Sequence, residues 1–143
     1  MWQRKGSVRT SSKDTYEDKV YNVTRKRKVI YHAEMQKDNL LLACKNAVLL
    51  YDISNMKKVG SIKVNTHIAA FLPESNCIVY VDSKENRRDR LNIYDYMLKE
   101  LVGWMRMDFE VNEVRARKSC IALAGRDSIS VIHFPTLKPI FYE

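Results

Sequence analysis

Three histidines, three cysteines and two strand-end aspartates are the side chains of this sequence best suited to hold a metal, attack a carbonyl or move a proton. A structural or catalytic zinc needs His and Cys ligands at short, matched spacings. His32, His67 and His133 each stand in or beside a separate apolar stretch, with no such partner nearby. Cys77 opens "CIVYV" and Cys120 opens "CIALA", 43 residues later, so the two occupy one position in a repeated pattern. A nucleophile would be unique, and a repeated cysteine reads as packing. Asp52 and Asp95 are also 43 residues apart and each follows a tyrosine at the end of an alternating run. The expected role is to bond the adjoining turn, as Asp commonly does. Gly6, Gly60, Gly103 and Gly125 are too scattered for a phosphate-cradling loop. The expectation is a protein that is not an enzyme, with no catalytic residue, no metal ligand and no cofactor.

Two basic stretches remain as candidate binding elements. Residues 1–28 carry nine Lys and Arg against three Asp and Glu, while the other 115 residues carry 16 against 14. The run Arg25, Lys26, Arg27, Lys28 has the charge to meet an anionic membrane surface or nucleic acid, or to act as a nuclear address. No aromatic residue is interleaved with it, which weighs against single-stranded nucleic acid. The second stretch, "DSKENRRDR", is a mixed-charge loop between two strands. Lys84, Asn86, Arg87, Arg88 and Arg90 are its candidate partner-binding residues, since recognition concentrates on such loops.

The elements that must position these residues are strands. Residues 1–28 are polar and basic, and are expected to form a largely disordered tail. Asp14 and Glu17 have capping-box spacing for a short helix, but its apolar stripe, Tyr16, Val20 and Val23, is thin. From residue 29 onward, short runs rich in Val, Ile, Leu and Tyr are punctuated by turn residues, the pattern of an all-β domain. The wide, odd cysteine set and the absence of any apolar run of about 20 residues suggest a reduced, intracellular protein.

The runs repeat. "NLLLACKNAVLLYDISNMKKVGSIKV" (39–64), "NCIVYVDSKENRRDRLNIYDYMLKELVGWMRM" (76–107) and "SCIALAGRDSISVIHFPTLKPIFYE" (119–143) align strand by strand. Tyr51–Asp52 recurs as Tyr94–Asp95 and, weakened, as Ile132–His133. Val48 and Leu50 correspond to Leu91 and Ile93, and to Ile129 and Val131, so both inward positions stay apolar in all three copies. A further strand precedes each unit, in "KVIYHAEMQKD", "THIAAFLPES" and "EVNEVRARK". A period near 40–45 residues with four strands is that of a propeller blade. The expected fold is all-β, a partial propeller of three four-stranded blades at about 29–64, 65–108 and 109–143, with residues 47–64 as the inner strand pair of the first. Rings close with typically four to eight blades. Three blades are therefore expected to be a fragment, a truncated product, or a part completed by a second copy or another protein.

The third unit and the middle loop resemble the early blades of the PROPPINs, the WIPI-type phosphoinositide-binding propellers of autophagy. The resemblance covers roughly residues 36–143. It rests on Val111, Val114, Arg115 and Arg117 in a Val-x-x-Val-Arg-x-Arg strand, on Phe134, Pro135, Thr136, Leu137 and Lys138 in the turn before the last strand, and on the polar loop before "IYD". It implies a non-catalytic scaffold in autophagy or membrane trafficking, cytoplasmic or peripheral to membranes, that displays blade edges and loops to protein partners. The Phe-Arg-Arg-Gly lipid motif of that family is absent, and Arg87–Arg88 is flanked by Glu85 and Asp89, so no lipid-site residue carries over. Two other readings stay open. One is a generic WD-repeat-like scaffold of a nuclear or RNA-associated complex that uses the basic tail. The other is a truncated copy without function.

Overall fold

The computed structural model describes residues 29–82 and 88–142. The expected tail, its helix and the run Arg25–Lys28 lie outside them, as do Lys84, Asn86 and Arg87.

The described residues form twelve strands: β1 (Ile30–Gln36), β2 (Asn39–Cys44), β3 (Ala47–Asp52), β4 (Lys57–Ile62), β5 (Ala69–Leu72), β6 (Cys77–Asp82), β7 (Arg90–Asp95), β8 (Glu100–Arg106), β9 (Glu113–Arg117), β10 (Cys120–Ala124), β11 (Ile129–His133) and β12 (Lys138–Tyr142). They make three four-stranded antiparallel meanders, each in chain order, so every strand pairs only with its neighbours in sequence. The first sheet touches the second through β1 and β2 against β5, and the second touches the third through β5 against β9. The first strands of the sheets therefore lie side by side at the inner rim. β4, β8 and β12 form the opposite edge. This corrects the reading of residues 47–64 as an inner pair: they are β3 and the outermost β4, because the inner strand comes from the segment that precedes each unit.

Strand periodicity explains how the sheets stack. Side chains of β6 alternate, with Ile78 and Tyr80 entering a cluster with Leu41, Ala43, Val48, Leu50, Ala69 and Phe71 of the first two sheets. Cys77, Val79 and Val81 enter the opposite cluster with Leu91, Ile93, Val114, Ile121, Leu123 and Ile132. The middle sheet is thus apolar on both faces, as burial between two sheets demands. The three apolar pairs aligned from sequence part company here. Val48 and Leu50, like Leu91 and Ile93, are buried between sheets, whereas Ile129 is 40% exposed. It occupies the face of β11 on which no described strand packs.

The hairpins joining the third and fourth strands are built alike. Each has a four-residue turn whose last residue is left-handed: Met56 (φ 54°), Lys99 (φ 59°) and Leu137 (φ 59°). Each ladder also slips by one residue at the same place, between Leu50 and Tyr51, Ile93 and Tyr94, and Val131 and Ile132. Such bulges add twist to the outer strand. The aspartates fix the turn. Asp52 Oδ1 accepts from the Ser54 N–H at 3.0 Å and the Ser54 hydroxyl at 2.6 Å. Asp95 Oδ1 accepts from the N–H groups of Met97 and Leu98, both at 2.9 Å. His133 takes over in the third sheet, with Nδ1 2.9 Å from Thr136 Oγ1.

Polar ties cross between sheets. Glu34 on β1 accepts the Phe71 N–H of β5 at 2.8 Å, and the Tyr31 and His67 rings meet edge to face at 3.8 Å. In the link between β4 and β5, the buried Thr66 hydroxyl accepts the Ile68 N–H at 3.0 Å and reaches the Val81 carbonyl.

Candidate functional site

The chemistry-bearing side chains do not converge. His32 sits 3.8 Å from Glu34, His67 meets Tyr31 edge to face, and His133 serves its own turn. Among the described residues, no group of three or more His, Cys, Asp or Glu is placed to hold a metal ion. Cys44 and Cys77 are buried and Cys120 half-buried, all three as reduced thiols. Burial pushes the Cys77 thiol up, against the pull of its bond with Ser75, and the nearby Asp95 adds to the rise. A thiol held protonated in an apolar cluster is a packing group. Cys77 and Cys120 do open equivalent strands, β6 and β10. A shallow depression beside the β2–β3 turn, lined by Asn46, Ala47, Ser61, Lys63, Val64 and Asn65, offers a single charged group.

The candidate partner-binding loop runs into β7, and its described end is set among charged side chains. Arg88 and Arg90 are its described members and lie at the start of β7. Their backbone is pinned to the segment leading into the third sheet: the Met107 N–H donates to the Asp89 carbonyl at 2.6 Å, and the Val111 N–H to the Arg88 carbonyl at 2.7 Å. Asp89 is buried, and Arg106 on β8 reaches its carboxylate at 3.3 Å. Arg90 lies opposite Arg106 in the ladder, and its guanidinium stacks 4.4 Å over the ring of Trp104, two residues further along β8. Among the described residues, the buried Arg90 Nε finds no hydrogen-bond partner. Trp104 itself is 53% exposed, with Leu101 and Val102 exposed on the same edge strand.

Arg88, Arg90, Arg106 and Trp104 thus make a basic, aromatic-backed corner at the outer edge of the second sheet. A guanidinium stacked on indole is preoriented, since the ring quadrupole holds the cation in one plane. Guanidinium groups have the planar donor geometry that matches carboxylates or phosphates, and the exposed indole adds an apolar surface beside them. Sequence reasoning located the two arginines at the start of β7 but missed Trp104 and Arg106. Their signal was the alternation of β8, which puts both on one face, diagonal and opposite to Arg90.

The fold of three stacked four-stranded sheets recurs in solved structures. Hsv2 of Kluyveromyces lactis, a PROPPIN, is 20% identical and matches 80% of this chain with a TM-score of 0.65. This chain has a PROPPIN-like propeller fold. The WD40 repeats of RRP9 match 84% of it at 10% identity and a TM-score of 0.69. Hydrazine synthase of Kuenenia stuttgartiensis matches 79% at 14% identity and a TM-score of 0.66. The match takes in 36% of the Hsv2 chain, 40% of the RRP9 chain and 35% of the hydrazine synthase chain, so the chain spans well under half the length of these propellers. No protein-family model and no curated relative matches the sequence.

Proposed function

We propose that this protein is a non-catalytic interaction scaffold that acts, as the PROPPINs do, in autophagy or membrane trafficking. The observation that carries the reading is the likeness of its three sheets to Hsv2 over 80% of the chain, joined to the strand and turn sequences at Val111–Arg117 and Phe134–Lys138. In this reading, protein partners dock at the corner of Arg88, Arg90 and Trp104 and at Lys84, Asn86 and Arg87, which precede it in sequence. Arg25, Lys26, Arg27 and Lys28 supply attraction to an anionic, phosphoinositide-bearing membrane. The protein works in the cytoplasm and at membrane surfaces, and a second copy or another protein completes the ring.

Vesicle flotation of the full chain tests the membrane part. Vesicles of phosphatidylcholine with phosphatidylinositol 3-phosphate are expected to carry the protein, and charge-neutral vesicles are not. Equal flotation with both, or with neither, overturns that part. The likeness to the RRP9 repeats favours a second reading, a generic WD40 scaffold without lipid binding. Absence of flotation together with steeply salt-dependent binding to RNA would select it.

A further inference from the structure

The first and second sheets each meet their successor through the same face. In the second sheet that face carries Cys77, Val79, Val81, Leu91 and Ile93, and it is closed by Val114, Ile121, Leu123 and Ile132 of the third. Since Ile121, Leu123 and Ile132 point back into that cluster, alternation puts Cys120, Ala122 and Ala124 of β10 and Ile129 and Val131 of β11 on the corresponding forward face of the third sheet. The registers agree: Val79 pairs with Ile93 and Val81 with Leu91, as Ala122 does with Val131 and Ala124 with Ile129. None of these five forward-facing residues of the third sheet is buried, and Ile129 is exposed. On the inner-rim strand β9 the same face carries Glu113, Arg115 and Arg117, paired with Ala124, Ala122 and Cys120. All three are exposed, and Arg115 Nη2 lies 3.2 Å from Glu113 Oε1.

We propose that a second copy of this chain packs on this face, third sheet against third sheet, about a two-fold axis that crosses the two β9 strands. Inside the chain the first strands of neighbouring sheets approach one another, β1 to β5 and β5 to β9. An axis across the strands keeps that relation, β9 against β9, and turns one copy end for end. The rim then complements itself, because Glu113 of each copy comes against Arg115 of the other. A sheet from a different protein would need its own rim with acid and base in matching order, which a second copy has by symmetry. Ala122 and Ala124 stand where the second sheet has Val79 and Val81, and so leave room between the faces for Ile129 and Val131.

The four strands of the face are five residues each. At about 4.8 Å between strands and about 3.3 Å per residue, the footprint is roughly 300 Å². Stable interfaces cover roughly 800 Å² per partner, so this association is expected to be reversible. The dimer deepens the scaffold reading, on whose open stack of three sheets it rests, and brings six sheets together, within the typically four to eight of a ring.

Sedimentation velocity of the full chain, from micromolar to sub-millimolar concentration, tests it. The expected result is a reversible shift from the mass of one chain to that of two. Ile129→Lys, at a side chain already exposed, is expected to weaken the association by more than about tenfold while leaving the thermal melt unchanged. Arg115→Glu sets like charges against each other across the axis and is expected to weaken it about tenfold, and adding Glu113→Arg to the same chain is expected to restore it. A monomer at every concentration overturns the proposal, and leaves the face to another protein. So does a dimer that Ile129→Lys leaves intact, failure of the exchanged pair to restore association, or growth beyond two chains, which would mean that unlike faces meet. Vesicle flotation reads the membrane part of the scaffold separately, so either can fail without the other.

Discussion

Arg106 holds the Asp89 carboxylate across the start of the β7–β8 pair, with Nη1 3.3 Å from one oxygen and 3.4 Å from the other. Asp89 is buried while Arg106 is half open to water, so the pair is unequal: the carboxylate depends on the arginine more than the reverse. Removing the cation from a buried acid costs more than the pair contributes, because the charge that remains is undercompensated. Arg106→Ala is expected to lower stability by about 1–2 kcal/mol. In a double-mutant cycle with Asp89→Asn the two effects are expected to be non-additive. Urea unfolding of the four proteins measures both quantities, and strict additivity would show that the contact carries no coupling.

Thr66 ties the link between the first two sheets to the end of β6. Thr66→Val keeps the shape and strips the hydroxyl, leaving the Ile68 N–H without its acceptor in a buried site. The expected loss is about 1–3 kcal/mol. Thr66→Ser keeps the hydroxyl and is expected to lose clearly less. Equal losses for the two variants in thermal melts would assign the effect to the methyl group.

Alkylation of the native protein should distinguish the cysteines. Cys120 is half-buried and is expected to react first at neutral pH. Cys44 and Cys77, inside clusters, should react only at the rate at which the sheets open. Mass spectrometry of the modified peptides over time checks the order. Rapid loss of the Cys77 thiol would contradict the packing described for the middle sheet.

The Ser54 hydroxyl and then its N–H hold the Asp52 carboxyl below the usual carboxylate value. A depressed folded-state value stabilises the protein above the unfolded value of 3.8, and this contribution fades as pH falls through the folded value. Ser54→Ala is expected to bring the Asp52 titration up toward 3.8, read by carbon-detected NMR of the carboxyl. An unchanged midpoint would mean that the hydroxyl does not set it.

The register of the sheets was legible because it is written in strand ends. Asp52 and Asp95 bond the turn two or three residues on, a local requirement that recurs with every hairpin and so shows as a spacing. The strands β1, β5 and β9 were legible from position, since each precedes a stronger apolar strand at the same offset in the repeat. Their position at the inner rim was not, because order within a sheet depends on contacts between units. Ile129 was legible as apolar but not as exposed: exposure depends on whether another sheet packs over the face, which a residue's own type does not record. Trp104 escaped because its partner Arg90 is diagonal across a ladder and 14 residues away in sequence, although alternation gave its face.

Among the described residues, none of the three sheets borrows a strand from another, and every ladder joins strands adjacent in the chain. Contacts this local carry a small loop-closure cost and favour fast folding. Each sheet is complete as soon as its own stretch of chain is available, and its far apolar face then waits for the next. A ribosome releasing this chain from its amino end would deliver the sheets in stacking order. Synthesis and assembly would proceed in the same direction, with at most one unfinished face exposed ahead of the growing stack.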